Sequence, residues 1–237
     1  MPPMLILAID TSTRAGSIAL LRDTQVLAEI AAREDTPYST RLFRDLAVLQ
    51  SRAQFQMAQI DVFAVAAGPG SFTGLRVGLT AVKAWAEVYR KPIAAISGLE
   101  AIAVQAQSSS ELVSPFLDAR RGHVFGSTYG RTSDRSAGLQ LVGEEAILSI
   151  EEFLTAVKRN SGEEPAVLAS ATPDVLPIDL LESILPGARI EKVSPSLAPT
   201  IGRLGFDRVN RGDLVDPLAL DANYIRRSDA ELARTGA

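Results

Sequence analysis

Apolar residues fill Leu5 to Ile9 without a polar break, then return at Gly16 to Leu21 after the turn Asp10-Thr11-Ser12-Thr13-Arg14, and again at Val26 to Ala31. Short runs of this kind, bounded by turn residues, predict three strands joined as a hairpin meander. From Ser39 to Arg52 the apolar positions take helical spacing. Val62 to Ala67 is a fourth strand ending at Gly68-Pro69-Gly70, and a long helix follows from Phe72 to Arg90. Pro92 stops that helix, because the residue before a proline is driven out of the helical region. Ile93 to Ile96 then forms a strand and Leu99 to Gln107 a helix. Three strands, helix, strand, helix, strand, helix is the order of a mixed sheet flanked by helices.

The polar run Ser108-Ser109-Ser110 marks the expected lobe boundary, which divides the chain into 1–108 and a degenerate second lobe, 109–237. Beyond it the opening pattern repeats. Val113 to Leu117, Asp118, a short polar turn and then His123 to Tyr129 match Leu5 to Ile9, Asp10, a turn and Ser17 to Leu21. Asp10 and Asp118 are 108 residues apart, close to half the chain. Such self-similarity points to an internal duplication, with coincidence as the alternative. The rest of the second half reads less clearly. Ser149-Ile150-Glu151-Glu152 is a capping box opening a helix to Arg159. Val167 to Ala169 reads as a strand and Leu197 to Arg211 as a helix. Thr172 to Pro177 and Pro186-Gly187 read as irregular connections.

Composition narrows the partners. The chain carries a net charge of -4, and its arginine pairs Arg120-Arg121 and Arg226-Arg227 read as solvated surface, so tight binding of nucleic acid by this chain alone is not expected. With no cysteine and one histidine, His123, a typical nitrogen and sulfur metal site cannot be assembled; His123 reads as a strand or turn residue. The absence of cysteine suits a reducing compartment. No apolar run reaches the roughly 20 residues of a membrane helix, and no basic segment precedes Leu5, so neither a membrane span nor a secretion signal is expected.

Ala66 to Gly78 reads AAGPGSFTGLRVG. Glycines at a strand-to-helix junction allow close backbone approach and can free amides for an anion. Yet Gly68, Gly70 and Gly74 miss the dinucleotide spacing, and Leu75 and Arg76 stand where a phosphate-binding loop needs lysine. Together with ILAIDTST at Ile6 to Thr13, LDARRGHVF at Leu117 to Phe125 and DPLALDANYIRR at Asp216 to Arg227, the motif resembles the TsaB (YeaZ) family over nearly the whole chain. That resemblance implies a two-lobed actin-like α/β fold, of the ribonuclease H-like duplicated type (ASKHA), with mixed sheets flanked by helices. It implies an accessory, non-catalytic role in making threonylcarbamoyladenosine on tRNA, at the adenosine beside the anticodon. A TsaD-like catalytic paralogue and a TsaE-like ATPase are the implied partners, with tRNA met only indirectly. Where family members often carry a His-Ser pair in the first helix, this chain has Tyr38-Ser39, and the His-x-x-x-His motif of the catalytic paralogue is missing from that helix.

Asp10 and Asp118 sit where kinases of that superfamily hold Mg²⁺-nucleotide, so they are weak cofactor-site candidates. The competing reading is that each caps a turn by accepting from backbone amides. No cofactor and no catalytic residue is assigned. Ser71 lies in no nucleophile elbow, and only His123 could partner it.

On a helical wheel, Leu75, Leu79, Val82 and Ala86 form one arc of the long helix; Gly74, Val77, Gly78, Ala81, Trp85 and Val88 form the next. The apolar sector is about 200° wide, roughly twice what one core face needs. The second arc, with Leu42, Phe43 and Leu46 of the preceding helix, is therefore expected to meet a partner, and small residues at Gly74, Gly78 and Ala81 would admit close approach. Internal cover of both arcs is the alternative. The family resemblance implies pairing through the first two helices, as a homodimer in isolation or with the paralogue. The expected role is thus a cytoplasmic, non-catalytic scaffold subunit; a nucleotide-dependent phosphoryl or carbamoyl transferase using Asp10 and Asp118 is the enzymatic alternative, and a metallopeptidase-like protein is disfavoured for want of ligands.

Overall fold

A hairpin meander opens the computed structural model, which describes residues 2–31, 36, 38–131 and 138–221. Arg226-Arg227 and the later part of the Asp216 to Arg227 segment lie outside the described residues. Strands β1 (Leu5–Asp10), β2 (Ser17–Arg22) and β3 (Gln25–Ala31) pair antiparallel, and β4 (Val62–Gly68) and β5 (Ile93–Ser97) extend the sheet in parallel on the other side of β1. The order is β3-β2-β1-β4-β5. Helices α1 (Tyr38–Ala53), α2 (Phe72–Tyr89) and α3 (Gly98–Gln105) accompany these strands.

Central strands here are apolar throughout because both faces are covered. Leu7, Ile9, Phe63 and Val65 pack with Leu42, Leu46 and Leu49 of α1 and Leu75, Leu79 and Val82 of α2. The alternate residues serve the other face. Leu21, Ala64 and Ala94 meet α6 (Ala198–Arg211), where Gly202 has no room for a Cβ beside Leu21, and one at Gly205 would come within 2.8 Å of Ala64 Cβ. Ser17 Oγ accepts from Ala198 N at 2.9 Å, and Arg208 bonds Glu100 of α3 at 2.8 Å, which ties one end of α6 to β2 and the other to α3.

The second sheet has the order β10-β9-β6-β7-β8. Its strands are β6 (Leu112–Arg120), β7 (His123–Arg131), β8 (Leu139–Ser149), β9 (Val167–Ser170) and β10 (Arg189–Lys192). Again the first three strands are antiparallel and the last two parallel, so β6 plays the part of β1 and the sheet repeats the first one strand for strand. Helices α4 (Ile150–Ser161) and α5 (Ile178–Ile184) cover it, with the Phe153 ring tilted against Phe116, centroids 5.6 Å apart.

The two compact units do not divide at Ser108. One holds 2–101 together with 195–221, and the other holds 102–194. The expected halves, 1–108 and 109–237, are corrected at both ends. Ser108 and Ser110 belong with the second unit, where their carbonyls accept from Arg131 at 2.6 and 3.1 Å. The last described helix returns to the first sheet, which had an uncovered apolar face.

Candidate functional site

The glycine-rich segment closes on the turn after β1. Ser71 caps α2, its hydroxyl accepting from Gly74 N at 3.2 Å, while Ser71 N donates to Ser12 O at 2.7 Å. Thr11 Oγ1 donates to Gly74 O at 2.7 Å. A Cβ on Gly74 would strike the Thr11 carbonyl, and one on Gly78 would strike the Thr11 hydroxyl. The small residues thus make room for the chain's own turn. Two of the candidate interface residues, Gly74 and Gly78, are corrected on that ground, and the Ser71 amide is bonded inside the unit.

The other six of the eight candidates sort by burial. Leu42, Leu46 and Ala81 lie in the core of the first unit at 1%, 6% and 9% exposure, so they are removed from the expected surface. Phe43 is different. Its ring is 66% exposed and meets Trp85 edge to face, with centroids 6.3 Å apart. Trp85 in turn leans on Phe63 of β4 at 6.0 Å. Val77 is half-buried and Val88, one turn beyond Trp85, is 72% exposed. What remains at the surface is an apolar stripe of Phe43, Val77, Trp85 and Val88 across α1 and α2. Val88 lies on the expected arc but is not among the eight candidates; its place one turn from Trp85 puts it beside them.

Asp10, the last residue of β1, is fully buried. Its Oδ1 accepts from Ser12 N at 2.8 Å and Ser12 Oγ at 2.6 Å. Burial pushes its carboxyl above the usual range, against the opposing effects of the Ser12 bonds and the Arg41 charge. Asp118 holds the matching position in β6, and its Oδ1 accepts from Arg120 N at 2.8 Å. Arg120 Nη1 pairs with its Oδ2 at 3.1 Å, in a side chain 26% exposed. Both aspartates therefore brace turns. Each lies in its own unit. His123 starts β7, its Nδ1 2.9 Å from the Arg121 carbonyl oxygen. Among the described residues, no three or more metal-ligating side chains gather, and no helix is long and apolar enough to cross a membrane.

A family model described as TsaD, tRNA N6-adenosine threonylcarbamoyltransferase, matches residues 26–180. The chain is 39% identical over 228 residues to the tRNA threonylcarbamoyladenosine biosynthesis protein TsaB of Bacillus subtilis (strain 168), covering 96% of each. A crystal structure of a Pseudomonas aeruginosa protein with similarity to peptidase YeaZ superposes with a TM-score of 0.75 at 25% identity, over 94% of this chain and 100% of that one. The ROK hexokinase of Thermus thermophilus, at 12% identity, shares the fold with a TM-score of 0.51 over 87% of this chain and 100% of its own. The repeated five-stranded sheets are those of the duplicated, actin-like fold.

Proposed function

This chain belongs to the TsaB family, and on that premise we propose that it serves tRNA threonylcarbamoyladenosine biosynthesis as a non-catalytic accessory subunit that docks on a TsaD-like catalytic paralogue. The observation that carries the reading is the apolar stripe of Phe43, Val77, Trp85 and Val88 on the outer side of α1 and α2. Burying an exposed Phe or Val side chain is worth roughly 1.5–3 kcal/mol, and aromatic anchors dominate interface energetics. The same stripe serves self-pairing when the paralogue is absent, so homodimer and heterodimer compete for one face. A TsaE-like ATPase joins the assembly, and tRNA is held by the partners more than by this chain, whose net charge is -4. The work is cytoplasmic.

The state of Asp10 favours this reading over a phosphoryl or carbamoyl transferase. A carboxylate that serves a magnesium-bound nucleotide must offer its oxygens as charged ligands. Asp10 has one oxygen committed to Ser12, and its burial favours the neutral form over a charged ligand. The test is threonylcarbamoyl transfer to tRNA by the purified chain, by the paralogue and by both with the ATPase. The expected result is no transfer by this chain alone and full activity only when it is added to the others. Sustained turnover by this chain by itself would overturn the assignment.

A further inference from the structure

Three polar side chains in the first unit are buried near one another without being fully bonded. Among the described residues, Asp10 Oδ2, Tyr38 Oη, and Arg41 Nε and Nη2 have no hydrogen-bond partner. Their residues are 0%, 6% and 2% exposed. Among the described residues Arg41 bonds only through Nη1, to Asp45 Oδ2 at 3.4 Å, and its guanidinium lies 3.8 Å over the Tyr38 ring. The hydroxyl end of Tyr38 is lodged against Gly16, next to Ser17, the residue paired with Asp10 across β1 and β2. Charge interactions link Asp10, Tyr38, Arg41 and Asp45, yet among the described residues Arg41 and Asp10 form no direct ion pair.

The pattern of unused atoms is specific. A guanidinium stays charged in any protein environment, and its Nε–H and one terminal N–H form a fork matched to the two oxygens of a planar oxyanion. In Arg41 that fork is the unused edge, because among the described residues Nη1 alone is engaged. The Tyr38 hydroxyl adds a donor. Asp10 adds another when protonated, the form that its burial favours.

We propose that Asp10, Tyr38 and Arg41 bind a small planar oxyanion of the carboxylate or bicarbonate class, with the Nε and Nη2 edge of Arg41 as its principal anchor. The site lies within one unit, between the end of β1 and the start of α1, and does not depend on the accessory role.

Sodium formate and sodium bicarbonate are the probes, titrated against the full chain with sodium chloride at equal ionic strength as the reference. The readouts are the melting midpoint, calorimetric binding and a crystal structure of the formate-treated protein. The expected result is a saturable rise in midpoint with formate or bicarbonate beyond that with chloride, with planar density on Arg41 Nε and Nη2. The anion that saturates at the lower concentration identifies the source. Tyr38→Phe keeps the ring against Gly16 and is expected to weaken binding about tenfold, the loss of one hydrogen bond to a charged group. Arg41→Lys keeps the charge but removes the fork, and is expected to abolish binding. Should that variant fail to fold, Tyr38→Phe decides alone. Equal response to all three salts, water alone at Arg41, or unchanged affinity in Tyr38→Phe would overturn the proposal.

Discussion

Thr11 and Gly78 are packed so closely that a Cβ on the glycine would overlap the threonine hydroxyl, which itself donates to Gly74 O at 2.7 Å. Alanine in place of a helical glycine normally gains up to about 1 kcal/mol. Here overpacking of about 1–3 kcal/mol opposes it. Gly78→Ala is expected to lower stability in the native background and to do so less, or not at all, beside Thr11→Ala. Denaturant unfolding of the four-member mutant cycle measures the coupling. A stabilised Gly78→Ala with no coupling to Thr11 would mean that the glycine is not there to admit the turn.

Asp10 should make folding stability depend on pH in a particular direction. Its carboxyl titrates at 3.8 when unperturbed and higher in the folded chain. Between those two values the native state binds more protons than the unfolded one, so stability falls as pH rises through the window. Asp10→Asn keeps an acceptor for Ser12 and has no charge to bury. Its stability relative to the native chain is therefore expected to rise from pH 4 upward until Asp10 is fully ionised. Parallel stability curves from pH 4 to 8 would contradict the burial of a titrating Asp10.

Asp118→Asn is expected to do little. The side chain is 26% exposed, its pairing with Arg120 is screened, and asparagine keeps the acceptor for Arg120 N. Exposed pairs of this kind contribute about 0–1 kcal/mol. Modification activity of the reconstituted system should stay within about twofold, a change of about 0.4 kcal/mol on the transition-state scale. A hundredfold loss would return Asp118 to a nucleotide-handling role.

Much of the fold was legible because buried strands carry their own signature. β1, β2, β4 and β9 show unbroken apolar runs, β6 carries one interrupted by Ser114, and Asp10 and Asp118 sit near the ends of the corresponding strands of the two sheets. β8 and β10 escaped because charged and exposed residues break up their apolar runs. Gln140 to Glu144 of β8 is exposed, so its residues obey neither a two-residue nor a helical period. α5 has seven residues, fewer than a periodicity needs to declare itself. The return of α6 to the first sheet is a long-range choice made by Gly202 and Gly205 against Leu21 and Ala64, which no local pattern announces. The surface of α2 was half legible. Its wheel located the arc of Val77, Trp85 and Val88, but could not show that Thr11 fills the space at Gly74 and Gly78. The unused edge of Arg41 had no signal at all, since an arginine two residues after Ser39 reads as ordinary helix surface.

The proposed role requires the outer face of α1 and α2 to be the docking surface, and the affinity of this chain for its TsaD-like paralogue tests that most directly. Phe43 is 66% exposed, so Phe43→Glu should leave the free chain's melting midpoint within about 2 °C, the shift of a roughly 0.5 kcal/mol surface change. In a dry interface the same carboxylate would be buried unpaired, at a cost of about 3–5 kcal/mol. The dissociation constant, measured calorimetrically on purified proteins, is expected to rise at least about a hundredfold for Phe43→Glu and likewise for Val88→Glu. Native affinity in both variants, each still folded, would contradict the docking surface and with it the proposed role.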